Sequence, residues 1–132
     1  MKTDDDMFLD LFQISNLAKP YQESSMFKSG SYLQCPLFRN IKIIRNPESK
    51  WFVTNVEMKS LGLLDETAWP GFCSGWLYIS NPQTLKRLLD ASMKESFFWI
   101  DDVWVTGILA KKAKINHIDI SRYLLYKSCY TL

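Results

Sequence analysis

Two acidic clusters carry the chemistry this sequence offers. One is "TDDDMF", with Asp4, Asp5 and Asp6 in a row; the other is "IDDVW", with Asp101 beside Asp102. Adjacent carboxylates repel one another, so they belong in solvent, at the positive end of a helix, or around a cation. Hard divalent cations take oxygen ligands, and a diphosphate bound to one becomes a better leaving group. In an Asp-x-Asp pair one carboxylate can serve the metal and the other a sugar or water. A separate carboxylate across the substrate can then act as general base. The single histidine, His117, offers an imidazole nitrogen to complete a metal shell. Each feature has a plainer rival. Asp4–Asp6 would complement a helix dipole, Asp101 and Asp102 would cap a helix, and one histidine is most often an ordinary satisfied side chain. Taken separately, these signals support only a globular domain.

The elements that must position these groups are legible in part. In "MFLDLFQISNL", Leu11, Ile14 and Leu17 step by three, which predicts an amphipathic helix over 7–17 with the Asp cluster at its positive end. Pro20 then opens a loop through "KPYQESSMFKSGS". "FRNIKIIRN" alternates as a half-buried strand, "NPES" turns, and "KWFVTNV" is aromatic and β-branched enough for another strand. "CSGWLYIS" alternates again, and Gly75 within it leaves room for something to approach the backbone. Asn81 and Pro82 start a helix whose stripe is Leu85, Leu88, Leu89 and Met93. "FFWIDDVWVTGILAKKA" continues as a helix with a lysine-rich end, and "INHIDI" can hold a short strand. Strands and helices mix, which makes the class α/β or α+β.

At 132 residues, 47% hydrophobic and 14% aromatic with five Trp, the chain can bury a real core in one domain. Sixteen basic against 14 acidic residues leave a net charge of +2, too balanced to imply nucleic acid or an anionic membrane surface. No apolar run approaches the ~18 residues of a membrane span. The opening residues are a dense charged motif, without the basic start and apolar stretch of a signal peptide, so a fragment of a longer chain is expected. Cys35, Cys73 and Cys129 lack metal-cage spacing; one disulfide with a free thiol and three reduced thiols are both open.

Four segments, in order, resemble the β-1,3-galactosyltransferase-like glycosyltransferases (family thirty-one). "KTDDDMFLD" is similar to that family's Asp-x-Asp segment, and "IIRNPESKWFV" to its Arg stretch leading into Lys-Trp-aromatic-Val. "WPGFCSGWLYIS" resembles its Tyr-Pro-x-Tyr-Cys-x-Gly block, and "WIDDVWVTGILAKKAKI" its acidic-Asp-Val segment. The resemblance implies part of an α/β GT-A-type fold, a mixed sheet flanked by helices, lacking the amino-terminal nucleotide-binding strands. The chain would then be a single incomplete domain over 1–132, the acceptor-side half.

By the same resemblance, Asp102 is the catalytic base and Asp101 stands where the family usually has Glu. Asp4 and Asp5 would contact the nucleotide-sugar, and Asp6 and His117 would hold Mn2+. Trp51, Trp69, Phe72, Ser74, Gly75 and Asp101 would border the acceptor. The implied activity is inverting transfer of galactose or N-acetylhexosamine from a UDP-sugar to a glycan or glycoprotein acceptor, in β-1,3 linkage, at the lumenal face of the Golgi membrane. The alternative is a truncated, non-catalytic relative that binds a glycan or a protein partner. A metal-dependent phosphohydrolase is disfavoured, because no further Asp or Lys motif of that chemistry follows. Two departures stand out. Trp76 and Leu77 replace small residues after Gly75, and "ILA" after Gly107 lacks the cysteine that many members carry. Cys73 is thereby left to Cys35, to Cys129 or to no partner.

Overall fold

The computed structural model describes residues 1–5, 7–23 and 30–123. A four-stranded mixed sheet runs in the order β1 (Lys2–Thr3), β5 (Leu77–Ser80), β2 (Tyr32–Cys35), β6 (Asn116–Asp119). The β2–β6 pair is parallel and the other pairings are antiparallel. Beside it, β3 (Leu37–Phe38) and β4 (Phe72–Cys73) form a two-stranded antiparallel sheet. The helices are α1 (Leu11–Glu23), α2 (Asn55–Ser60) and α3 (Pro82–Ser92), then a π-helical segment Asp102–Leu109 running on into α4 (Ala110–Lys112). The architecture is α/β with a mixed sheet flanked by helices, as expected.

Two clusters of side chains make the core. Ile43, Val53, Met58, Leu61, Trp69, Phe72, Phe98, Val103 and Ile108 form one, and Leu33, Cys35, Leu37, Cys73, Leu88, Leu109, Ala110 and Ile115 the other. Neighbouring residues serve opposite sides: β4 gives Phe72 to the first cluster and Cys73 to the second, and the π-helical segment likewise divides Ile108 from Leu109. Burying this segment between both clusters fixes where Asp102, at its start, must lie.

Several local expectations change. Asp4 and Asp5 do not start α1. Asp10 does, its Oδ1 accepting from the Phe12 and Gln13 amides at 3.0 and 3.1 Å. The helix also runs through Pro20, which late in a helix forfeits one hydrogen bond without stopping the final turn. "KWFVTNV" is not a strand. Thr54 and Glu57 form a reciprocal capping box that starts α2, and this local signal outweighs the β-branched composition. Of "FRNIKIIRN", β3 takes only the edge, and Lys42 bridges Ala68 alone; the alternation survives, with Ile43 buried and Ile41 exposed. "CSGWLYIS" is two strands in different sheets, broken at Ser74–Gly75.

The start of α3 is as expected. Asn81 Oδ1 accepts from the Thr84 amide at 2.8 Å, and the Thr84 hydroxyl bonds the backbone of Tyr32 in β2. Its apolar stripe, however, buries only Leu88; Leu85, Leu89 and Met93 are exposed.

Cys35 pairs with Cys73, their Cα atoms 5.5 Å apart. Cys129 lies outside the described residues. Both bonded cysteines are fully buried, and the link ties the end of β2 to β4 across 38 residues of chain. Closing a loop of that length is worth roughly 2–4 kcal/mol, mostly by restricting the unfolded chain. Replacing both cysteines by alanine is therefore expected to lower the unfolding free energy by about that amount in urea titration; an unchanged midpoint would contradict it.

Candidate active site

Gly75 is the point on which the two acidic clusters converge. Its N–H donates to the Asp102 carboxylate. A side chain at this position would have no room: a Cβ built there falls 2.6 and 2.8 Å from the two carboxylate oxygens of Asp102. The requirement for glycine is one of space, because Gly62 alone among the described glycines has a positive φ. On the other side, Lys2 Nζ donates to the carbonyl of Gly75 and, at 2.6 Å, to Asp4 Oδ1. The pairing of β1 with β5 sets this up, placing Lys2 opposite Tyr78, while the Asp4 amide donates to the Trp76 carbonyl at 3.2 Å.

Strand register puts Lys2, Tyr78, Ser80, Leu33 and His117 on one face of the sheet. Asp102 is half-buried there. Burial, more than any other cause, pushes its carboxyl above the usual carboxylate range, and Asp101 and Asp4 push the same way. The Lys2 ammonium and the Gly75 N–H oppose the shift without cancelling it. A carboxylate whose proton affinity is raised by burial has a property that suits a general base. It does not cap its helix, and neither does Asp101, whose side chain makes no capping bond to the segment it precedes.

Thr106, which the sequence reading did not single out, secures Asp102 from below. Its hydroxyl accepts from the Cys73 amide at 2.8 Å and donates to the Asp102 carbonyl at 2.6 Å, so β4 and the helix start are held together. A threonine bonding back to the residue four positions earlier competes with the helical ladder, in keeping with the wide turns here. Its only sequence signal was a polar residue at a core position of an apolar helix. Lys2 and Tyr78 lie within two of the family-like segments, but residue type alone gives them no role there.

The remaining expected site residues divide. Trp69 and Phe72 are core side chains, buried against Phe98 and Phe38 respectively, so neither presents a ring face to a sugar. The aromatic demand of the first core cluster explains them instead. Ser74 is also buried, its amide donating to the Pro36 carbonyl. Trp51 is exposed and lies stacked on Trp99, ring centroids 6.0 Å apart, with Lys50 over its ring. Asp5 is exposed, and Asp6 lies outside the described residues.

The galactosyltransferase family model matches residues 1–121. The chain belongs to that family. It is 30% identical to human beta-1,3-galactosyltransferase 5 over 116 residues, which are 88% of this chain and 34% of that protein. It is 27% identical to mouse beta-1,3-galactosyltransferase 1 over 133 aligned residues, 100% of this chain and 37% of that protein. The chain thus spans about a third of the length of the curated relatives it matches. Within the family, the mixed sheet with flanking helices is consistent with part of a GT-A-type fold.

The Mn2+ expectation can be tested against the donors present. Among the described residues no three His, Cys, Asp or Glu side chains converge to hold a metal ion. His117 Nε2 lies 2.6 Å from the Thr106 carbonyl, and burial lowers the imidazole's pKa, which suits a neutral ring donating from that nitrogen. Only Nδ1 would be left for a ligand. Asp4 is engaged by Lys2. Among themselves, the described residues do not make a metal centre.

Proposed function

We propose that this chain supplies the acceptor-side catalytic part of an inverting UDP-sugar hexosyltransferase that forms a β-1,3 linkage on a glycan. The observation that carries the reading is the half-buried Asp102 carboxylate held on the Gly75 N–H, next to the Lys2–Asp4 pair. The names of its relatives, beta-1,3-galactosyltransferases, support the linkage and favour galactose.

In this mechanism Asp102 takes the proton from an acceptor hydroxyl as the oxygen forms a bond to the anomeric carbon. The bond from that carbon to the diphosphate oxygen breaks on the opposite side, and UDP departs with its electron pair. Asp4 contacts the nucleotide-sugar. Mn2+ belongs to the same reading through Asp6, and when bound would offset the charge on the departing diphosphate.

A lumenal Golgi location fits the buried Cys35–Cys73 disulfide, which persists in an oxidising compartment. Among the described residues no helix is long and apolar enough to cross a membrane.

The test is to titrate UDP into the purified chain, with and without Mn2+, and to assay transfer from UDP-galactose and UDP-N-acetylhexosamines to a panel of glycan acceptors. Saturable UDP binding and transfer to at least one acceptor are expected. A folded chain showing neither would overturn the reading.

A further inference from the structure

Lys2 has more partners than a surface lysine needs. Its Nζ is bonded to Asp4 Oδ1 and to the Gly75 carbonyl, and it sits 5.9 Å from the centroid of the Tyr78 ring. The side chains of Lys2 and Asp4 are 35% and 39% exposed, and an ion pair that open to solvent does little for stability. Backbone pairing with β5 already places β1 without it. What the ammonium adds is a connection. Gly75 bonds Asp102 through its N–H and Lys2, 73 residues away in the chain, through its carbonyl, so a single glycine joins Asp102 to the Lys2–Asp4 pair.

We propose that Lys2 is a positioning residue: it clamps Asp4 to the Gly75 carbonyl and so holds Asp4 and the Asp102 base in register with each other. The inference rests on the transferase reading. Losing the clamp frees Asp4 from the Gly75 turn and loosens the turn that presents its N–H to Asp102. It also removes a positive charge acting on a carboxylate that otherwise feels Asp101 and Asp4, with Tyr78 nearby.

The experiment compares the full chain with Lys2→Met and Lys2→Arg. The ionisation of Asp102 is followed by carboxyl carbon NMR without added divalent ion, assigned by Asp102→Asn, alongside steady-state transfer and thermal melts. In Lys2→Met the titration of Asp102 is expected to move to higher pH, and kcat to fall roughly tenfold or more, with KM for the acceptor little changed. Lys2→Arg, which keeps the charge and can reach both oxygens, is expected to restore the titration and most of kcat.

A Lys2→Met protein whose Asp102 titrates as in the wild type overturns the proposal. So does a folded Lys2→Arg that rescues neither readout. Should Lys2→Met fail to fold, the Lys2→Arg comparison decides alone. The NMR readout needs no turnover: a titration coupled to Lys2 in a chain that neither binds UDP nor transfers sugar would sink the transferase reading while leaving the clamp standing.

Discussion

Asp102→Asn is expected to cut sugar transfer by roughly 100-fold to 10,000-fold while leaving the protein folded and UDP binding unchanged. The asparagine carbonyl can still accept the Gly75 N–H, but it cannot take up a proton from the acceptor. The same substitution makes a second, opposite prediction for stability. Burial raises the Asp102 carboxyl above its unfolded value, so ionising it in the folded protein is unfavourable. Its contribution is most favourable at acidic pH, where the carboxyl is protonated, and is lost as pH rises through the raised folded value. Asp102→Asn should therefore melt no lower than wild type at neutral pH, with the difference shrinking as pH falls through the raised value. Wild-type transfer should rise with pH across the same interval, because only the ionised carboxylate accepts the proton. Activity without a loss in Asp102→Asn would remove this residue from the base role.

Gly75→Ala is the second large effect, and it acts through space. The new Cβ would lie 2.6 and 2.8 Å from the Asp102 oxygens and 3.0 Å from its Cγ, closer than such atoms come. Either the backbone or the carboxylate must give. The carboxylate is the end of a half-buried side chain, so it yields first, leaving the Gly75 N–H. Displacing a catalytic group by about 1 Å costs on the order of 100-fold in rate. Overpacking of this kind costs about 1–3 kcal/mol where nothing can move, and less here. We expect transfer to fall about 100-fold with only a modest drop in melting temperature. In an Asp102→Asn background the alanine should cost little more, because the group it displaces is already inactive. Losses that simply add in the double variant would show that Gly75 serves something other than Asp102.

Much of the chain's local structure could be read from short patterns, and the misreadings have physical causes. Asn81 and Pro82 start α3 as their capping chemistry requires, and "INHID" forms β6. "KWFVTNV" misleads because its β-branched composition points to a strand, while the Thr54-to-Glu57 spacing, a helix-start signature within reach of the sequence alone, decides the outcome. The stripe on α3 misled because helical periodicity says which residues share a face, not whether that face is covered. β2, the inner strand joining β5 and β6, is not legible in the sequence, because four residues between loops carry too little periodicity to announce themselves.

Residue type and order, by themselves, determined the two acidic clusters, the class of fold and the family, because these depend on which side chains occur and in what succession. Tertiary structure alone decided that Cys73 bonds Cys35, that Trp69 and Phe72 belong to the core, and that Lys2, Asp4 and Asp102 meet at Gly75. Each of those facts follows from strands and helices pairing across long stretches of chain. Such pairings are settled by burying both core clusters at once, and no short window of sequence contains that constraint.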